Sequence, residues 1–275
     1  MTKEEVFQIL KNTIKHIDHH FCSEDRDNYL DIPLKDANLP FQYSIDSGIS
    51  KAVILIKGAD FVIKMPFLTF FDEDYYDCCL QDNEQEVSDA IDAYIAKLGV
   101  EDYILSKEEL AQVRASCSAE PQAEDFYYEL EGASNINLGP GIEPAIPDWD
   151  YCRLESVIYQ LAVEEGLGAY FAEEAYLGTI ADQPVYYQTR CIPKDDSYKI
   201  TKEKARTTRH RCEELNVDCF DPGWIADFID CYGEEELKRL NDFLYRYEIT
   251  DLRPGNIGYL DGAPILFDYS GYRDW

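Results

Sequence analysis

The residues best suited to chemistry lie near the C-terminus, in Asp251-Leu252-Arg253-Pro254-Gly255-Asn256 and in Ile265-Leu266-Phe267-Asp268-Tyr269-Ser270. Asp251, Asn256 and Asp268 carry hard oxygen atoms, the donor type that suits Mg2+ and phosphate chemistry. Between them lies Asp261-Gly262, flanked by Ile257-Gly258-Tyr259-Leu260 and Ala263-Pro264-Ile265-Leu266-Phe267. An Asp-Gly pair in that setting predicts a two-residue type I′ hairpin. In its register Leu260 faces Ala263, and counting outward sets Asn256 opposite Phe267. Asp268 comes next, so an amide oxygen and a carboxylate reach one end of the same hairpin. Taken alone, Asp and Asn are also ordinary turn formers.

Other candidate chemistry is sparse. His16 and His20 stand one helical turn apart, with His19 between, but no third metal ligand accompanies them. They read as a solvated helix face. Nine cysteines are scattered without any C-x-x-C pair, which fits reduced, half-buried small side chains better than a disulfide framework or zinc site. The 55 acids and 25 bases give a net charge of −30, which argues against a direct nucleic-acid or anionic-membrane binder. The same charge suits a protein that engages a basic partner or imitates a polyanion. No apolar run approaches the ~18 residues of a membrane span, and the first residues lack the apolar core of a signal peptide. A cytoplasmic protein is expected.

The elements that must position these residues follow from periodicity. Thr2 and Glu5 make a capping box before Val6, Leu10, Ile14, Ile17 and Phe21, predicting an amphipathic helix to about residue 21. Residues 1–40 are read as this helix and an extension. The runs 41–45, 52–56 and 61–65 then predict a small antiparallel meander, with turns at 46–48 and 57–60. Residues 72–131 hold 18 acids against 3 bases. Two helices are legible there, one from the stripe Val87, Ile91, Tyr94, Ile95, Leu98 and one from the Ser106–Glu109 capping box. Residues 132–149 read as loop. A helix is predicted from Tyr151 to about Glu165, two strands within 176–189, a helix with Asp221 at its N-cap and Pro222 at its first position, and another from Glu234 to Tyr247. Lys199–Arg211, with six bases and one acid, is the one cationic window and reads as a solvated helix. The fold class is α+β, with a β-rich front and a helical back.

The D-L-R-P-G-N segment, followed after a hairpin by L-F-D-Y-S twelve positions on, resembles the catalytic and metal-binding loops of the protein-kinase-like phosphotransferase superfamily. Phe61-Val62-Ile63-Lys64 is similar to that family's V-A-I-K strand, and Glu155 is the best-placed helical glutamate to meet its lysine. The resemblance implies a two-lobed kinase-like fold. Residues 41–190 would be the N-lobe, with an acidic helical insertion at 72–149, and 191–275 a truncated helical C-lobe. It implies ATP and Mg2+ as cofactors. Lys64 would hold phosphates and be oriented by Glu155, Asn256 and Asp268 would bind the metal, and Asp251 would accept a hydroxyl proton. Ser47-Gly48-Ile49-Ser50-Lys51 occupies the place of the glycine-rich loop, and Gly48 and Ser50 there, with Gln188 at the start of the 188–193 hinge, would contact the nucleotide.

The departures from the family pattern are specific. The phosphate loop has one glycine instead of three, Ile249 and Thr250 replace His and Arg, and Ser270 replaces the glycine after the metal aspartate. Seven residues follow Asp268, too few for an activation segment or peptide platform. Two functions are therefore expected: an atypical ATP-dependent phosphotransferase, or a pseudokinase-like binding protein whose acidic surface engages a basic partner. Transfer of another nucleotide-derived group is a third.

Overall fold

A computed structural model of the chain describes residues 1–17, 34, 37–47, 51–67, 69–71, 73–98, 105–117, 127–129, 135–136, 138, 146–147, 150–194 and 200–269. The expectations for His19, His20, Gly48, Ser50 and Ser270 lie outside these residues. Two compact units are present, one holding residues 69–131 and a larger one holding 132–275 together with most of the first 68 residues.

The larger unit opens with α1 (Lys3–Thr13), whose Thr2–Glu5 capping box is formed. The helix stops eight residues short of expectation. Ile14 turns extended at φ −83°, ψ 109°, just after β-branched Thr13, yet Ile14 and Ile17 remain buried. The apolar spacing persists while the helix does not, because an extended segment can reach the same core. Strands β1 (Tyr43–Ser47), β2 (Lys51–Ile56) and β3 (Phe61–Pro66) form the meander; β1 runs on through Asp46 and Ser47, which had read as turn. Later in the chain, α2 (Tyr151–Glu164) leads to β4 (Glu174–Ile180) and β5 (Gln183–Thr189). The five strands make one antiparallel sheet in the order β1-β2-β3-β5-β4.

The register assigns each face of this sheet. Directly paired residues point the same way, and successive ones alternate. Lys51 pairs Pro66, Val53 pairs Lys64, Val62 pairs Gln188, and Gln188 pairs Glu174. Lys51, Lys64, Glu174 and Gln188 therefore share one face. The other face carries Ile54, Ile63 and Tyr187 in one row, with Ala52 and Met65 beside it. That apolar face receives α1, which buries Val6, Phe7 and Leu10. Full burial of such side chains contributes about 1.5–3 kcal/mol each. Gly178, at a bulge in β4, admits the Phe7 ring; a Cβ there would lie 2.5 Å from Phe7 Cζ.

The remaining helices are α3 (Lys202–Leu215), with Thr201 at its N-cap, α4 (Pro222–Tyr232), with the predicted Asp221 N-cap and Pro222 at its first turn, and α5 (Glu234–Arg246), which follows Gly233 without a side-chain cap. Trp224, Phe228, Leu240 and Phe243 are fully buried and share a core with Leu154 and Ile158 of α2. Beside them β6 (Ile192–Pro193), β7 (Ile257–Leu260) and β8 (Ala263–Leu266) form a three-stranded sheet. Gly258 permits the β6 contact, since a Cβ would lie 2.2 Å from the Ile192 carbonyl oxygen. The expected loop 132–149 differs from expectation: Asn135–Ile136 pairs with Ile146–Pro147.

In the smaller unit one helix spans Glu73–Leu98, longer than its apolar stripe implied, and a second spans Lys107–Arg114 behind the Ser106–Glu109 box. Thr69–Phe71 pairs with Tyr127–Glu129. Among the described residues no helix is long and apolar enough to cross a membrane.

Candidate functional site

The hairpin register derived above is the observed one, from Leu260↔Ala263 to Ile257↔Leu266. Asp261 and Gly262 both have positive φ, 51° and 85°, as a type I′ turn requires. Beyond the last pair, the Phe267 and Asp268 amides both donate to the Asn256 carbonyl, at 3.1 and 3.2 Å. The Asn256 side-chain amide donates to the Asp251 carbonyl at 2.6 Å and to Asp251 Oδ2 at 2.8 Å. Asn256 thus fastens Asp251 to the hairpin end that carries Asp268.

The same-face residues of the large sheet build the rest. Lys64 Nζ lies 2.7 Å from Glu155 Oε2 and 2.9 Å from Glu174 Oε2. Lys51 Nζ lies 2.6 Å from Glu155 Oε1 and 2.9 Å from Asp268 Oδ1. Glu155 bridges the two ammoniums from α2, whose N-cap Asp150 accepts from the Arg153 amide and from the Tyr186 hydroxyl of β5. Gln188 donates from Nε2 to Glu174 Oε2 at 2.8 Å and to the Phe267 carbonyl at 2.5 Å. Its side chain thereby ties the sheet to the hairpin. It lies inside β5, so the segment leaving the sheet begins after Thr189. Lys51, Lys64, Glu155, Glu174 and Gln188 are all buried, whereas the Asp268 side chain is 35% exposed.

Burial works against every charge in this cluster, and the partners decide the outcome. For Glu155 burial favours the neutral acid, but the Lys51 and Lys64 ammoniums outweigh it and hold the carboxyl well below its usual range. For Glu174 burial and the Glu155 charge act together and push the carboxyl well above its usual range. Lys51 and Lys64 are held above theirs despite burial, Lys51 chiefly by Asp268 and Glu155, Lys64 chiefly by Glu155 and Glu174. The upward direction at Glu174 favours its protonated form. Glu174 Oε1 is buried and has no hydrogen-bond partner among the described residues.

Asn256 and Asp268 have the donor chemistry of a Mg2+ site, and one of the oxygens that would serve it is engaged by a lysine. Asp268 Oδ1 already faces an ammonium at 2.9 Å. Among the described residues no group of three His, Cys, Asp or Glu side chains is arranged to hold a metal.

Sequence reasoning brought together Lys64, Glu155, Asp251, Asn256 and Asp268 but missed Lys51 and Glu174. Lys51 had read as the end of the phosphate loop; it is the first residue of β2. The turn at 57–60 fixed its register as firmly as the terminal hairpin's, and the same outward count would have put Lys51 and Lys64 on one face. Glu174 had no comparable signal. No family model matches the chain, and no curated protein or solved structure matches it.

Proposed function

We propose that this chain binds ATP in a kinase-like cleft, between the charged face of the sheet and the terminal hairpin, and transfers its γ-phosphoryl group to a hydroxyl substrate. The observation that carries this reading is the buried Lys64–Glu155 ion pair, formed between residues 91 positions apart. Such a pair orients a lysine toward phosphates in the family that the sequence resembles. In the proposed step the substrate oxygen bonds to the γ-phosphorus while the bond from that phosphorus to the β–γ bridging oxygen breaks, releasing ADP. Asp251 accepts the hydroxyl proton. A nucleotide that binds the folded state raises its stability, by about 2.7 kcal/mol at a hundred times Kd. ATP is therefore expected to raise the melting temperature of the parent and not of Lys64→Ala, and Asp251→Asn to abolish phosphate transfer while leaving the thermal shift intact. An identical shift in Lys64→Ala and parent would remove the cleft from the account.

A second reading is a pseudokinase-like binding protein that recognises a basic partner. Two observations favour it: the Lys51 ammonium at Asp268, and the exposed Asp82, Glu84, Glu86, Asp89 and Asp92 along the helix Glu73–Leu98. ATP binding without measurable phosphate transfer separates the two.

A further inference from the structure

A lysine ammonium has three N–H donors. Lys51 uses two, on Glu155 Oε1 and Asp268 Oδ1, and its third has no partner among the described residues. Lys64 repeats the pattern with Glu155 Oε2 and Glu174 Oε2. The two ammoniums are rooted in neighbouring strands on one face of the sheet, locked together by the carboxylate that bridges them. Lys51 cannot withdraw far: its backbone is paired to Pro66 and its side chain is 6% exposed. The carboxylate it holds is the most solvent-accessible member of the cluster and the one that the resemblance assigns to a metal. A divalent ion at Asp268 Oδ1 would meet this fixed positive charge at contact distance. An ammonium that grips Asp268 with one N–H and keeps another for a phosphate oxygen makes the same bridge that a metal would.

We infer that Lys51 is a tethered cation standing in for a divalent metal at Asp268, and that it joins Lys64 in binding the nucleotide's phosphates without any metal ion. This rests on the ATP-cleft reading above. The test is calorimetric titration of ATP into the full chain in EDTA and, separately, in excess Mg2+. Parent affinity should differ by less than about threefold between the two, under 0.7 kcal/mol. Lys51→Met should lose about tenfold or more in EDTA and recover part of it in Mg2+, where the vacated Asp268 can take an ion. Because that variant leaves Asp268 without its cation and folding is at stake, Asp268→Asn is measured beside it. With Lys51 still anchored by Glu155, Asp268→Asn should bind ATP at least as tightly as the parent in both buffers. Binding by the parent in Mg2+ alone, or a loss in Asp268→Asn confined to the Mg2+ buffer, overturns the inference and leaves the ATP cleft standing. Unchanged affinity of folded Lys51→Met in EDTA overturns it as well. No ATP binding in either buffer overturns both.

Discussion

Two regions of this protein handle charge in opposite ways. In the sheet-and-hairpin cleft two lysines are buried against three carboxyl groups, and burial with the Glu155 charge pushes the Glu174 carboxyl well above its usual range. On the helix Glu73–Leu98 the acids at 82, 84, 86, 89 and 92 are exposed, and like charges at that density repel. Removing one member of a buried pair strands a charge in a poorly solvated site, whereas an exposed charge is screened by water and salt. The cleft fixes geometry at an energetic cost; the acidic helix sets a field. Only the first arrangement is sensitive to the removal of single atoms.

The largest effect is therefore expected at Glu155. Its replacement by Gln leaves two buried ammoniums facing an amide, and should cost about 3–5 kcal/mol of unfolding free energy in chemical denaturation. A cost below about 1 kcal/mol would mean that the cluster is far wetter than its burial implies.

Glu174→Gln comes next and separates the two neighbouring carboxyls. An amide resembles the protonated acid in shape, so this change should cost about 1 kcal/mol or less near neutral pH. The pH dependence has a definite sign. Between an ordinary carboxyl pKa near 4.5 and the raised folded value, the folded chain holds a proton on Glu174 that the unfolded chain has lost. This contribution is fully present below 4.5 and declines as pH rises through the folded value. Glu155 has the opposite sign, its contribution present above about 4.5 and lost as pH falls toward its depressed folded value. Denaturation of parent and Glu174→Gln from pH 4 to 8 should show the rising-pH decline in the parent alone. The same slope in both chains would place the proton elsewhere.

The exposed charges should respond least. Arg211 meets Glu234 and Glu214 at 2.5 Å on the helical surface, yet Arg211→Ala should move the melting temperature by about 2 °C or less, and less still in high salt. Neutralising Asp82, Glu84, Glu86 and Asp89 together should leave the melting temperature unchanged or slightly raised at low salt, through relief of repulsion. A marked fall would assign those carboxylates a structural task that their exposure does not suggest.

The same contrast explains what the sequence made legible. Local chemistry was readable: the Asp261-Gly262 turn, the Thr2–Glu5 and Ser106–Glu109 boxes, and Asp221-Pro222 before α4 each specify their geometry within a few residues. Asp251, Asn256 and Asp268 were found because a turn sets their spacing. Lys64 and Glu155 were paired through resemblance, since a separation of 91 positions carries no register of its own. Lys51 reads as the end of the phosphate loop, because a lysine just after the Gly48–Ser50 segment gives no sign of opening a strand until the neighbouring strand is aligned with it. Glu174 was invisible, because a buried acid is stabilised by partners distant in the chain. Ile14 and Ile17 kept the helical spacing but not the helix, since the apolar period records burial and not backbone conformation.

The central claim is that Lys64 and its carboxylate neighbours form a nucleotide site. A crystal structure with a non-hydrolysable ATP analogue tests it most directly. The account predicts phosphate oxygens within ~3.2 Å, hydrogen-bond distance, of Lys64 Nζ, with the Lys64–Glu155 pair intact. An analogue bound elsewhere, or crystals grown at saturating analogue whose cleft stays closed by the Lys51–Asp268 pair, would contradict it.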